Sequence, residues 1–137
     1  MIHDPKEREI AIAPFRDRVV HHAIVNVLEL IYERRFIYDS YATRKGKGTL
    51  AAIRRAQSFL RESRYYIKLD ISKYFASIDR NTLLEVLKRK LKDNRLLELI
   101  TRIVWNPPNV DSGLPIGNMT SQFFANVYLD PFDHFVK

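Results

Sequence analysis

The chain has 137 residues, of which 46% are hydrophobic and 28% are charged, with only four glycines and six prolines. This composition fits one globular domain or a piece of one, and it excludes a disordered or low-complexity chain. Lysine and arginine total 23 against 16 acidic residues, a net charge of +7 that attracts phosphate backbones, while the absence of cysteine excludes disulfides and thiolate metal sites.

The N-terminal third predicts a strand, a helix and a loop. Residues 8–13 alternate apolar and polar side chains, which predicts a short strand that Pro14 ends. Residues 15 to about 35 place apolar side chains at helical spacing and predict a long amphipathic helix. Residues 36–48 break this periodicity and end in a basic cluster interleaved with glycines, so we expect a loop.

A second helix and a second strand are expected next. Residues 49 to about 62 predict a helix whose apolar side is expected to face the core. That side comprises Leu50, Ile53, Ala56, Phe59 and Leu60. Residues 65–71, YYIKLDI, are rich in β-branched and aromatic side chains and predict a strand with Asp70 near its end.

The remaining chain reads as three helices and a turn-dense loop. Asp79 is a predicted N-cap for the helix that follows it, and residues 94 to about 104 predict another helix. Residues 106–118 are dense in turn formers, and residue 120 onward returns to a helical pattern in which Pro131 is an expected kink. The order β, α, α, β, α, α, α indicates an α+β or α/β domain with an incomplete sheet.

Asp70 has two interpretations from the residues alone. A carboxylate between apolar neighbours in a buried strand costs free energy, which a divalent cation such as Mg²⁺ would compensate. Alternatively, Asp70 ends the strand and caps the following turn. The stretch 113–129 is similarly open, because its glycines and polar cluster suit phosphate or sugar contacts but also an ordinary capped loop.

No secretion signal or membrane span is expected. The start of the chain lacks an apolar region behind basic residues, and nowhere do 18 apolar residues run together. The sequence favours a soluble, cytoplasmic protein.

Four segments in order resemble the motifs of reverse transcriptases. LDISKYFASID resembles motif A, and GLPIGNMTSQFFANVYLDPFDHFVK resembles motif B. REIAIAPFRDRVVHHAI and FIYDSYATRKGKGTLAAI resemble the two finger motifs that precede them. Within the family, the likeness is greatest to enzymes of diversity-generating retroelements, themselves similar to group II intron enzymes. Four ordered motifs spanning nearly the whole chain make coincidence a poor explanation.

The resemblance implies an RNA-directed DNA polymerase that uses two Mg²⁺ ions. Asp70 and the backbone carbonyl of Ile71 would be metal ligands, and the Phe75 ring would exclude a ribose 2′-hydroxyl by shape. Nucleotide contacts are implied for Arg8, Lys73, Tyr74, Pro115, Ile116 and Gly117. Nucleic-acid contacts are implied for Arg44, Lys45, Lys47, Ser121 and Gln122, with a solvated basic loop as the alternative for the three loop cations. The partners would be an RNA template, a DNA primer and deoxynucleoside triphosphates, with room for an accessory protein.

The resemblance also implies the fold class, α+β, with the fingers and partial palm of a right-hand polymerase and an incomplete antiparallel palm sheet. Residues 1 to about 64 would be fingers, and residues 65 to 137 the front palm with motifs A and B. The hairpin that carries the second aspartates and the thumb are expected to lie outside this sequence, so the isolated chain is expected to be inactive.

Motif B carries the retroelement assignment. Most relatives have Gln after the proline and Pro after the serine, whereas this chain has Ile116 and Gln122. The resemblance then implies error-prone copying at adenines, and the apolar Ile116 offers fewer polar checks on the incoming nucleotide. A non-catalytic nucleic-acid-binding remnant is the alternative function.

Overall fold

The structure is a computed structural model that describes residues 10–106 and 113–137. Within these ranges the elements are six helices: α1 (Phe15–Tyr32), α2 (Thr49–Glu62), α3 (Tyr74–Ser77), α4 (Arg80–Lys90), α5 (Asn94–Trp105) and α6 (Met119–Val136). The five longer helices were all predicted, within a few residues of their observed bounds. None of the helices in the described ranges is both long and apolar enough to cross a lipid bilayer.

The predicted α+β class with an antiparallel palm sheet is wrong for the described residues, which contain helices and no strand. Residues 10–13 and 65–71 have no regular structure, and the start of the first predicted strand lies outside the described residues. Tyr65, Ile67 and Leu69 are 87%, 85% and 79% exposed. A strand forms only when a neighbour accepts and donates its backbone hydrogen bonds, and nothing in the described ranges does so for this segment.

The core lies where α1 and α4 pack against α6, with α5 packed on α4. Its largest fully buried apolar side chains are Tyr32, Phe124, Leu28, Ile78, Leu83, Leu87 and Ile100. Helix α2 contributes no buried residue, so the expectation that its apolar side faces the core is wrong. The stretch between α1 and α2 instead contacts α6, where the Asn126 side-chain amide donates to the Ala42 carbonyl at 2.7 Å.

Aspartates cap the two helices before motif B. The Asp79 carboxylate accepts from the backbone amide of Thr82 at 2.6 Å, which confirms its predicted N-cap role. Hydrogen bonds from Thr82, in the first turn of α4, hold the pKa of the Asp79 carboxyl below its ordinary value. Asp93 caps α5 in the same way, accepting from Arg95 and Leu96. Both caps therefore satisfy backbone amides that the first turn of each helix would otherwise leave without a partner.

Candidate functional site

The motif A segment is exposed at its start and buried at its end. Asp70 and Ile71 lie in the exposed, irregular stretch before α3. Lys73 then adopts a left-handed backbone conformation, with φ 48° and ψ 43°, and the four-residue helix α3 begins immediately after it. Residues 72–77, the turn together with α3, are called the motif A turn below. It brings Tyr74 and Phe75 back against the core.

Tyr74 anchors the motif A turn to the motif B helix. Its hydroxyl donates to the carbonyl oxygen of Ala125 on α6 at 2.6 Å. Burial raises the pKa of Tyr74 well above its ordinary value, so the group stays a neutral donor. The half-buried Phe75 ring lies 5.8 Å from the Tyr74 ring in an edge-on arrangement. Phe75 is the residue predicted to exclude a ribose by shape, and it is called the sugar gate below. Its side chain therefore packs beside a neighbour whose position is fixed by a hydrogen bond.

The backbones of motif A and motif B meet at Phe75. The amide of Leu114 donates to the Phe75 carbonyl at 2.8 Å. Gly113, directly before it, has φ +75° and lies so close to the turn that a Cβ there would be 2.5 Å from Cα of Ala76. Two segments separated by nearly forty residues in sequence are thus joined next to the predicted gate.

The other end of the motif B loop contacts the N-terminal segment. The amide of Ala11 donates to the Ile116 carbonyl at 2.8 Å. Gly117 has φ +119°, and a Cβ there would lie 2.8 Å from the Ala11 carbonyl oxygen. Pro115 lies between these contacts and is half-buried. Pro115, Ile116 and Gly117 therefore form a loop held at both ends.

A groove of about 530 Å³ opens beside this loop, bordered by the N-terminal segment, α1, α5 and α6. Its polar lining includes Asp17, His21, Arg102, Thr120 and Ser121. Thr120 and Ser121 are buried, and the Thr120 hydroxyl lies 3.4 Å from Nδ1 of His21. Burial lowers the pKa of His21, which favours the neutral imidazole. The sequence pattern gave His21 no function, because its place in this groove depends on how α1 packs against α6.

Two of the three cations in the basic loop, Arg44 and Lys47, form hydrogen bonds to neighbouring residues of the chain. The Arg44 guanidinium pairs with Glu33 at 2.7 Å and donates to the Ile37 and Ser40 carbonyls at 2.7 and 2.8 Å. Lys47 Nζ donates to the Tyr38 carbonyl at 2.7 Å and lies 3.6 Å from the centre of the Tyr38 ring. Lys45 is exposed. Nucleic-acid contacts by these residues stay a prediction, and Lys45 is the cation placed best to make one.

The other predicted site residues are scattered. Gln122 is exposed near the start of α6, and Arg8 lies outside the described residues. Within the described ranges, Asp70 belongs to no group of three or more His, Asp or Glu side chains able to bind a metal ion. The structure brings Phe75 and the start of motif B together and leaves Asp70 in the exposed segment before them.

The family model described as reverse transcriptase (RNA-dependent DNA polymerase) matches residues 3–137. The chain is 27% identical to the putative COX1/OXI3 intron 2 protein of Saccharomyces cerevisiae, 30% to the group II intron-encoded protein LtrA of Lactococcus lactis subsp. cremoris and 28% to protein YkfC of Escherichia coli. These alignments cover 95%, 96% and 96% of the chain but 16%, 23% and 38% of the relatives, so it spans a minor part of each.

Proposed function

Because the chain belongs to the reverse transcriptase family, we propose that it forms the fingers and front palm of an RNA-directed DNA polymerase. Residues 1 to about 64 would be fingers, and residues 65 to 137 the front palm. The observation that carries this proposal is the junction of motifs A and B, where the Leu114 amide binds the Phe75 carbonyl at 2.8 Å. That junction sets the predicted sugar gate beside the loop that would line the nucleotide.

The gate would work by shape. The Phe75 ring is half-buried, and its backbone is fixed on the motif B side, so it has a defined position. A ribose 2′-hydroxyl directed at an apolar ring would meet a steric barrier without gaining a hydrogen bond. Deoxynucleotides lack that hydroxyl. Phe75 would therefore select the DNA precursors without any polar contact to the sugar.

The incoming triphosphate would lie between the motif A turn and the motif B loop. Backbone amides around Lys73 and Tyr74 would contact its phosphates, as would Arg8 from the N-terminal segment. The base and sugar would contact Pro115, Ile116 and Gly117. On the template and primer side, the exposed Lys45 and Gln122 would contact the nucleic-acid backbone, and Arg44 and Lys47 would shape the loop that carries Lys45. The buried Ser121 would meet nucleic acid only through the groove that it lines.

Asp70 would supply part of a Mg²⁺ site together with the carbonyl of Ile71. One exposed carboxylate does not hold two metal ions, and the described ranges contain no cluster that would complete the ligand set. The residues described here do not fit the metal site by themselves. We therefore expect a polypeptide of these 137 residues alone to lack polymerase activity.

Two finer assignments are possible within the family. The Lactococcus relative carries the name of a group II intron-encoded protein, which favours an intron-type enzyme. Ile116 and Gln122 favour the diversity-generating retroelement group, and on these two residues we propose error-prone copying. Ile116→Gln in the complete protein is expected to lower misincorporation opposite template adenines. An unchanged error spectrum would count against this assignment.

A second candidate function is nucleic-acid binding without catalysis. It is favoured by the net charge of +7, which attracts phosphate backbones without requiring chemistry. The two functions separate in a primer-extension assay on the protein in its natural full length, with RNA template, DNA primer and Mg²⁺. Extension that Asp70→Asn abolishes supports the polymerase. Template binding without extension supports the alternative.

A further inference from the structure

Gly113 is packed against the backbone of the motif A turn more closely than any other residue type allows. A Cβ at this position would lie 2.5 Å from Cα and 2.7 Å from the carbonyl carbon of Ala76, distances that side chains do not adopt. Its φ of +75° also lies in the region that favours glycine. Because the obstructing atoms belong to backbone, a larger residue has to displace the turn that carries Phe75.

Arg80 holds Gly113 from the other side. This residue is buried, and its Nε donates to the Gly113 carbonyl at 2.7 Å. Its guanidinium also lies 5.3 Å from the centre of the Trp105 ring. Arg80 is the first residue of α4, where the helix dipole disfavours a cation. A buried cation at that end requires compensating acceptors, and the Gly113 carbonyl is one of them.

We propose that Gly113 and Arg80 are positioning residues for sugar selection. Arg80 fixes the Gly113 carbonyl, the close approach of Gly113 fixes the motif A turn, and the adjacent Leu114 amide fixes the Phe75 carbonyl. The place of the Phe75 ring is therefore set by the start of motif B rather than by motif A alone. This inference rests on the proposed function, since it concerns how the enzyme discriminates deoxyribonucleotides from ribonucleotides.

The test measures kcat/KM for a deoxynucleotide and for the matching ribonucleotide, in primer extension by the protein in its natural full length. Gly113→Ala is expected to lower the ratio of the deoxynucleotide value to the ribonucleotide value by roughly tenfold to a hundredfold, the size of rate effect that a displacement of about an ångström has. The displaced Phe75 ring would relieve the steric barrier for the ribonucleotide alone, so the effect would not cancel in the ratio. The ratio is insensitive to the fraction of active protein, since both kcat/KM values scale with it. A general loss of stability therefore does not imitate the effect.

Gly46→Ala is the matched control. Gly46 has φ +72°, nearly the value at Gly113, but nothing lies within 4 Å of the place its Cβ would take. The unfavourable φ angle is thus shared by both variants, and only Gly113→Ala adds the collision with the motif A turn. The selectivity ratio of Gly46→Ala is expected to equal that of the parent.

A second pair of variants tests whether Gly113 acts through the gate. Phe75→Ala is expected to lower the ratio by itself, and adding Gly113→Ala to it should then lower the ratio no further, because coupled residues give non-additive effects. Arg80→Lys, which keeps the charge but loses the planar donor geometry, is expected to lower the ratio less than Gly113→Ala. If Gly113→Ala does not fold, the selectivity ratio of Arg80→Lys tests the inference by itself.

Two results would overturn the inference. One is an unchanged ratio in Gly113→Ala and Arg80→Lys in an enzyme that extends primers, which leaves the proposed function intact. The other is a full additional loss of selectivity when Gly113→Ala is combined with Phe75→Ala. A parent protein that extends no primer refutes the proposed function and this inference with it.

Discussion

Arg35 donates from Nε to the carboxylate of Asp130 at 2.8 Å, and this pair joins the turn after α1 to the interior of α6. The Asp130 side chain is only 2% exposed, whereas that of Arg35 is 39% exposed. A buried carboxylate is stable in its charged form only while a cation or donors face it. The pair therefore adds a polar contact to the apolar packing between α1 and the motif B helix.

Arg35→Met should destabilise the fold by about 2 kcal/mol. Breaking a fully buried pair costs ~3–5 kcal/mol, and the partial exposure of Arg35 reduces this because water already screens its attraction to Asp130 in the folded protein. Urea unfolding followed by circular dichroism measures the difference. Arg34→Met is the control, since Arg34 is an exposed neighbour of the same type, and it should change stability by less than about 0.5 kcal/mol. Equal effects of the two variants would show that the Asp130 pair is not a major contact.

Two tyrosine hydroxyls in the core should respond oppositely to removal. Within the described residues, the buried Tyr32 hydroxyl has no hydrogen-bond partner, whereas the Tyr74 hydroxyl donates to Ala125. Tyr32→Phe should raise the free energy of unfolding by about 1 kcal/mol, and Tyr74→Phe should lower it by about 1 kcal/mol. Chemical denaturation of both variants at pH 7 measures the signs. A loss of stability in Tyr32→Phe would mean that its hydroxyl is satisfied in solution.

The raised pKa of Tyr32 predicts a loss of folding stability at alkaline pH. Burial raises the pKa of Tyr32 to about 12, above the ordinary value near 10. The folded state thus resists ionisation, so the stability linked to this group is complete below about pH 10 and is lost as pH rises toward 12. The parent should lose stability across that window more steeply than Tyr32→Phe. Parallel curves for the two proteins would contradict the assignment.

Asp39 should contribute to stability at acid pH. Its carboxylate accepts from Lys137 at 2.8 Å and Arg55 at 2.9 Å, and the Lys137 hydrogen bond, with those of Arg55, lowers the pKa of Asp39 to about 2. Because this pKa is depressed, the stabilisation is complete above about pH 4 and is lost as pH falls toward 2. Asp39→Asn should flatten the stability curve in that window. About 1 M salt should shrink the difference, since these partners are partly exposed.

Substitutions of the two loop cations Arg44 and Lys45 should affect different properties. The Arg44 variant should lose stability, and the Lys45 variant should lose RNA affinity. Arg44→Met leaves Glu33 and two backbone carbonyls without their donor, so it should destabilise the loop by about 2 kcal/mol. Lys45→Gln should leave unfolding unchanged and weaken RNA binding uniformly across sequences. It should also reduce the slope of log affinity against log salt by roughly 0.7–0.9. Fluorescence anisotropy with labelled RNA at several salt concentrations measures the slope, and an unchanged slope would remove Lys45 from the interface.

The part of the fold that depends on local sequence was predictable. Five helices and the Asp79 cap follow from periodicity and from the capping chemistry of one side chain, both of which act within a few residues. The exposed apolar side of α2 was not predictable, because periodicity shows that a helix has two faces but not which neighbour covers one. The strand predicted for residues 65–71 failed for a related reason, since its hydrogen bonds require a partner distant in sequence.

The candidate site likewise has features that the sequence predicts and features that depend on contacts between distant segments. Motif order in the sequence determined the family and identified Asp70, Phe75 and the motif B loop as candidate site residues. The tertiary structure decided that Arg44 is committed to Glu33 rather than to solvent, and that Gly113, held by Arg80, lies against the backbone that carries Phe75. Residue types specify which chemistry is available, whereas contacts between segments far apart in the chain arise only when packing of α1, α4 and α6 brings them together.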